Sequence, residues 1–251
     1  VPIAERVDKQ KKFLWITTAI ADAVLKDRNL QYTFRPQPNG SLFGVGSVAY
    51  IASYAPDKLK KQPKDVRIAI IYEDGPYGAG VAAGNESKCK SLGMDVVLKE
   101  GYGGTAPDLS SLVTKLKRAR ADILLHTGYN PDITLFLRQS REQGLKFKGI
   151  IGHGAGYGQI GKLMETFGTD VNYFFNVDPV AAQLLVPKSL KGDLGKLTAE
   201  MVKRYQAVKG PADVPPHASM GFNQTWIFFT DVLPRAIKKH GGVDPGALRV
   251  A

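Results

Sequence analysis

The sequence predicts an α/β protein of two lobes, each a parallel open sheet flanked by helices, and three observations carry that prediction. From Asp65 to Pro179 short apolar strands alternate with helical segments at a spacing of roughly 25 residues, the length of one βα unit. Those strands are continuous apolar runs, as strands covered on both faces are. Beyond Val180 the pattern offers helices and no strong strand, while the first 35 residues offer two strands and little else. The two ends are therefore expected to share one lobe: residues 1–60 with 180–240, around a continuous lobe of 61–179, with 241–251 beginning a return segment.

In chain order, Phe13–Ile16 and Gln31–Arg35 read as strands, the second stopped by Pro36 and Pro38. Leu42–Tyr54 reads as a helix whose small residues suit close packing on a sheet, and the Lys-rich, two-proline stretch 56–64 reads as a linker between lobes. Strands follow at Arg67–Tyr72, Asp95–Leu98, Asp122–His126, Gly149–Gly152 and Asn172–Val177. Thr105-Ala-Pro-Asp108 fits a capping box ahead of Leu109, Leu112, Val113 and Leu116 on one helical face. Asn130-Pro131 opens the next helix and Gly144 closes it. Late helices are expected over Asp193–Val208 and Ser219–Lys239, the latter kinked by Pro234. Strand, helix, strand with buried strands implies parallel pairing and right-handed crossovers.

Composition narrows the function. At 251 residues, 43% hydrophobic and 23% charged, the chain is ordinary for a globular protein, and no apolar run approaches the roughly 20 residues of a membrane span. Val1–Lys12 lacks the charged-then-apolar pattern of a leader, which decides nothing about compartment. The net charge of +11 is spread over helix faces without an arginine-rich arm, finger spacing or aromatic-interleaved strand, so nucleic acid is not the expected partner. Cys89 is the single cysteine, which excludes an intrachain disulfide and a thiolate cluster and leaves a packing role.

The sharpest enzyme motif is Gly78-Ala-Gly80-Val-Ala-Ala83, a dinucleotide fingerprint in its Gly/Ala form, with Glu100 placed 20 positions after Gly80 for a ribose. Against it, five residues separate the strand end from Gly78, whereas the fingerprint needs its first glycine at that end. An NAD(P)-binding oxidoreductase is thus the alternative reading. No Walker loop, nucleophile elbow or zinc helix is present, and His126, His153, His217 and His240 are not at ligand spacing with one another. Glu73-Asp74 at a strand end reads as magnesium ligands or as a helix cap. What recurs is rings and small residues at strand ends: Tyr77, Tyr129-Asn130 and His153-Gly-Ala155-Gly-Tyr157 should project from one carboxyl edge, a surface better suited to holding a small organic molecule than to breaking one.

Arg67-Ile-Ala-Ile-Ile-Tyr, Tyr77-Gly-Ala-Gly, Asp108-Leu-Ser-Ser-Leu-Val, Ala121-Asp-Ile-Leu-Leu and Leu137-Arg-Gln-Ser-Arg-Glu-Gln-Gly144 resemble, in order and spacing, type I periplasmic substrate-binding proteins of the branched-chain amino acid class. Tyr32-Thr-Phe-Arg35, Gly44 and Ala49-Tyr-Ile51 fit as well. The resemblance implies two lobes closing on a small ligand, delivery to the membrane permease of an ABC importer, a periplasmic location, and no catalysis or cofactor. It places ligand contacts at Tyr77, Tyr129, Phe222, Thr18, Ala19 and Ala21, and a carboxylate for a ligand ammonium near His153–Ala155, where this chain has none. Ala21 stands where amino-acid binders carry a hydroxyl. Both departures leave a small aromatic or other carboxylate open beside an amino acid. Members also carry sequence before and after the matched stretch, so the chain is expected to be incomplete at both ends. The sensor lobe of a receptor is a third class that this sequence does not separate from a transporter component.

Overall fold

The computed structural model describes residues 2–211 and 213–251, and the Ala155 side chain lies outside what it describes. In chain order the first elements are α1 (Pro2–Lys9), β1 (Leu14–Trp15), β2 (Thr33–Phe34), α2 (Gly40–Tyr54), β3 (Arg67–Glu73), α3 (Pro76–Ser91), β4 (Asp95–Tyr102) and α4 (Ser110–Ala119). There follow β5 (Ile123–Thr127), α5 (Asn130–Glu142), β6 (Gly149–His153), α6 (Ala155–Gly158), α7 (Ile160–Phe167) and β7 (Phe174–Val177). Last come α8 (Leu194–Lys209), α9 (Pro216–Ile227), α10 (Leu233–His240) and α11 (Pro245–Val250). The chain divides into two compact units, Val1–Pro38 with Pro179–Ala251, and Asn39–Asp178.

The second unit holds a five-stranded sheet, entirely parallel, in the order β4-β3-β5-β6-β7. One face, with Ala69, Ile71, Leu124 and Ile150, packs on Leu112, Val113 and Leu116 of α4 and on Ile133 and Phe136 of α5. The other, with Ile68, Ile70, Leu125 and Ile151, packs on Val48 and Ile51 of α2 and on Ala82 and Cys89 of α3. Burial on both faces is why these strands read as unbroken apolar runs. Burial, with Glu86 nearby, pushes the Cys89 thiol up to about 12, so it is an inert packing group.

Helix α2, expected in the first lobe, packs in the second unit against α3. A Cβ on Gly44 would collide with the Val81 carbonyl, and one on Gly84 with the Ser41 carbonyl, so only glycines allow the two backbones this approach. Asn85 then donates to the Gly44 carbonyl at 3.0 Å and to the Ser47 hydroxyl at 2.9 Å. Stretch 56–64 consequently joins α2 to β3 inside one unit instead of linking two; its prolines sit in short helical turns, Ala55–Leu59 and Pro63–Asp65.

At the amino end of the sheet, buried Asp122 accepts from Lys61 at 2.6 Å, from Lys148 at 2.8 Å and from the Arg67 amide at 3.0 Å. Burial raises its pKa, but these donors prevail and bring it down to about 2. The expected capping box at Thr105–Asp108 does not form. Helix α4 starts at Ser110, and Gln139 of α5 closes the gap instead, accepting from the Leu109 amide at 2.7 Å and donating to Asp108 at 2.7 Å.

The first unit carries a two-stranded parallel sheet pairing Leu14 with Thr33 and Trp15 with Phe34. Both strands are shorter than the sequence suggests. The Trp15 indole donates to the Gln224 carbonyl at 3.2 Å, Phe13 stacks on Phe34, and Phe228 packs at a tilt against Phe13 and Trp15. The long late helix is interrupted as expected near Pro234, by a π turn over Phe228–Val232 between α9 and α10. Such a turn absorbs the amide that proline lacks.

Candidate functional site

The carboxyl ends of β3, β5, β6 and β7 lie along one edge of the five-stranded sheet, where open parallel sheets bind ligands. At the end of β3, Glu73 turns back on its own chain: its carboxylate accepts from the Gly75 amide at 2.7 Å and the Gly78 amide at 2.6 Å. The acid thus fills the N-terminus of α3, favourably placed against the helix dipole. This settles two sequence readings. Glu73 is a helix cap and not a magnesium ligand. The dinucleotide fingerprint fails, because Gly78, Gly80 and Ala83 lie inside α3, and the amides that a pyrophosphate would need are already bonded to Glu73. Glu100 is equally engaged, in an ion pair with Lys115 at 2.7 Å.

Tyr77 and Tyr129 meet at this edge, their ring centroids 5.9 Å apart and inclined by 50°. Tyr77 is half-buried, and its hydroxyl is enclosed without a hydrogen-bond partner among the described residues. Burial raises its pKa, with Asp178, Tyr129 and Glu73 adding to the shift. Tyr129 is 53% exposed and presents its ring outward. Its backbone is held from below, since the Tyr129 amide donates to Asp132 at 2.8 Å.

Beneath the rings lies a polar cluster that the sequence did not reveal. The Tyr102 hydroxyl is 2.7 Å from Asp132 and 2.7 Å from His126 Nε2, and His126 Nδ1 is 2.7 Å from the Tyr157 hydroxyl. A carboxylate only accepts, so Tyr102 donates to Asp132, His126 Nε2–H donates to Tyr102, and Tyr157 donates to Nδ1. One neutral tautomer satisfies every group. Burial, and then His153, lowers the His126 pKa to about 3, consistent with that neutral ring.

His153 was expected to line a cleft with a contact for the ligand. It is instead wholly buried at the end of β6, in register with Val177 of β7. Its Nδ1 lies 3.1 Å from the Thr127 hydroxyl and 3.3 Å from the His126 carbonyl, while Nε2 is unpartnered among the described residues. Burial lowers its pKa to about 4. The side chain of Ala155 falls outside the described residues. Gly154 before it has φ +101°, and a Cβ there would stand 2.8 Å from the Gly128 carbonyl and 3.2 Å from the Tyr77 hydroxyl, so glycine keeps space beside that hydroxyl.

The remaining candidates belong to the first unit. Thr18 and Ala19 are exposed in the loop after β1, and Ala21 packs on Ile16 and Val24. Arg35 fixes this loop by donating to the Ala21 carbonyl at 2.9 Å and the Ala19 carbonyl at 3.4 Å. Phe222 does not open a helix; it lies within α9, stacks on Trp226 and packs against Ala182, Met201 and Val214.

Residues 2–251 match the family model described as periplasmic binding protein. The chain belongs to the periplasmic binding protein family. It is 33% identical, over 234 residues, to Leu/Ile/Val-binding protein homolog 7 of Brucella abortus (strain 2308), an alignment covering 93% of this chain and 55% of that one. It spans between 34% and 55% of the length of the curated relatives it matches. Among solved structures it is similar to an extracellular ligand-binding receptor from Rhodopseudomonas palustris HaA2, at 17% identity over 100% of this chain and 66% of that one, with a TM-score of 0.76. It is also similar to a branched chain amino acid ABC transporter from Thermus thermophilus with bound valine, at 15% identity over 99% of this chain and 60% of that one, with a TM-score of 0.74. The type I fold that the motifs suggested is thus the fold of this periplasmic binding protein.

No carboxylate stands at His153–Ala155, but one follows the neighbouring strand. Asp178 follows β7 directly, and β7 pairs with β6 through His153 opposite Val177. Its Oδ2 is buried and unpartnered among the described residues, and burial alone raises the carboxyl pKa to about 7. Its position immediately after a predicted strand was the available signal. Among the described residues no helix is long and apolar enough to cross a membrane.

Proposed function

We propose that this periplasmic binding protein is the solute-capturing component of an ABC importer, works in the periplasm, hands its ligand to a membrane permease, and performs no chemistry on it. The ligand class is a small amino acid or a small aromatic or other carboxylate. The observation that carries the reading is the contact between Tyr77 and Tyr129, rings rooted after two neighbouring strands at the carboxyl edge of a parallel sheet. The names of the Brucella relative and of the valine-bound structure support an amino acid. Thr18, Ala19, Ala21 and Phe222 stay in the proposal as first-unit contacts.

Rings of this kind favour a small organic guest by removing apolar surface from water at about 25 cal/mol per Å², while the ligand's polar groups need replacement partners. The test is a melting-shift and calorimetric screen of amino acids and aromatic acids on the full-length protein, with products followed by chromatography. The expected outcome is saturable stabilisation by one class without product. Product formation from any hit, or no stabilisation by either class, would overturn it.

A further inference from the structure

The amino end of the five-stranded sheet, opposite the edge that carries Tyr77 and Tyr129, holds a cavity of about 590 Å³. It lies between the last turns of α5 and α7 and the starts of β6 and β7. Small-molecule sites span about 300–1,000 Å³, so the size is that of a ligand site. The floor is apolar: Leu137, Leu145, Phe147, Ile150, Phe167 and Phe174 line it, all of them part of the core on the α4–α5 face.

One polar side chain interrupts this floor. Ser140 is 7% exposed, lines the cavity, and its hydroxyl has no hydrogen-bond partner among the described residues. A hydroxyl in a helix usually bonds a carbonyl one turn back, as Thr134 of the same helix does to Asn130 at 2.7 Å. Ser140 leaves the corresponding Phe136 carbonyl unused. Buried polar groups are nearly always paired, so a free hydroxyl lining a cavity marks where a guest's polar group would sit.

The rim supplies the sign of that group. Arg141, Lys146 and Asp170 stand exposed around it. Arg141 is spent on Asp170, with Nε at 3.4 Å from the carboxylate, while Lys146 has no ion pair among the described residues. One positive charge is left over. The carbonyls ending α5 would oppose an anion, but the chain's own amides cover them: Leu145 donates to Ser140 at 2.8 Å and Gly144 to Arg141 at 3.0 Å. The first of these bonds folds the chain back so that Lys146 follows directly on the residue tied to Ser140.

We propose that this cavity is a second binding site, for an amphipathic carboxylate. The alkyl or aryl body lies on Phe147, Phe167 and Phe174, and the carboxylate accepts from the Ser140 hydroxyl and faces the Lys146 ammonium. The site is at the other end of the sheet from the ring pair and stands whatever solute the ring pair takes.

The experiment is titration calorimetry of the full-length protein with octanoate and with octylammonium, which has the same tail and the opposite charge. It is run on the natural protein, Ser140→Ala, Lys146→Glu and Tyr129→Ala. Neither cavity variant threatens the fold, since one removes an unpartnered hydroxyl and the other changes an exposed side chain; thermal melts without ligand check this. The expected result is saturable octanoate binding, at least tenfold weaker octylammonium binding, and at least a threefold loss of octanoate affinity in both Ser140→Ala and Lys146→Glu. No saturable octanoate binding, or octylammonium binding as tightly, would overturn the proposal. So would unchanged octanoate affinity in either cavity variant, or an affinity lost in Tyr129→Ala, which would put the probe at the ring pair.

Discussion

Two wholly buried histidines stand on neighbouring strands of one sheet, and only one of them is satisfied. His126 faces α4 and α5, where Tyr102, Tyr157 and Asp132 pair both of its nitrogens and Phe136 packs edge-on at 4.7 Å. His153 faces the opposite side and keeps an unpaired nitrogen, as Tyr77 and Asp178 each keep an unpaired oxygen, among the described residues. A closed network of this kind fixes geometry, because each member has a single arrangement in which all are bonded. An unclosed one costs stability, because a buried polar atom without a partner has given up its bonds to water. The comparison therefore separates a scaffold, which holds the Tyr129 backbone through Asp132, from an edge whose buried polar atoms have no partner among the described residues.

Breaking the scaffold should have the largest effect on stability. Tyr102→Phe removes one hydroxyl and strands two groups, His126 Nε2–H and one oxygen of Asp132. At about 1 to 2 kcal/mol for each orphaned buried group, the loss is about 3 kcal/mol. Urea denaturation measures it. If the variant is within 0.5 kcal/mol of the natural protein, roughly the effect of an ordinary surface change, the network does not hold this part of the fold.

The pH dependence adds a second contrast, because Asp178 titrates with the opposite sign to the two histidines. His126 and His153 have pKa values lowered to about 3 and about 4, so below pH 6.5 the unfolded chain binds more protons at these sites and stability falls as pH falls. Asp178 has a raised pKa of about 7, so between pH 4 and pH 7 the folded protein holds a proton there that the unfolded chain does not, and its contribution is lost as pH rises through 7. Among the described residues Asp178 acts on the Tyr77 hydroxyl, whose pKa burial raises, so Tyr77 keeps its proton over this range. Asp178→Asn removes the opposing proton. The fall in stability from pH 6 to pH 5 should therefore be steeper in the variant, by about 1.4 kcal/mol per pH unit. Equal slopes in ligand-free protein would place the Asp178 pKa near its ordinary value and would dissolve the contrast on that side.

How far the sequence reached follows the same division. The five strands of the second unit were legible because burial on both faces writes itself as apolar runs, and the late break near Pro234 because proline removes an amide wherever it sits. The place of α2 was not legible: it depends on Gly44 meeting Val81 and Gly84 meeting Ser41, contacts between residues about 40 positions apart. Tyr77 and Tyr129 were readable as strand-end rings. Glu73 was readable only as an acid at a strand end, because its bonds to Gly75 and Gly78 fix its role and arise from the way the chain turns after β3. Asp178 was not legible as part of this edge, because it lies outside the motif at the end of β6 and only the pairing of β6 with β7, His153 opposite Val177, brings its strand there.

The smallest effect on stability belongs to the residue with the largest expected effect on binding. Tyr129 is 53% exposed, so its ring contributes little packing, and what holds its backbone is the amide bond to Asp132, which survives truncation of the side chain. Tyr129→Ala should therefore lie within about 0.5 kcal/mol of the natural protein in urea. In calorimetry the same variant should lose at least tenfold in affinity for the ligand that the screen identifies, because the ring facing Tyr77 is gone. A loss of stability near that of Tyr102→Phe would make Tyr129 part of the scaffold. Unchanged affinity would move the guest away from the ring pair.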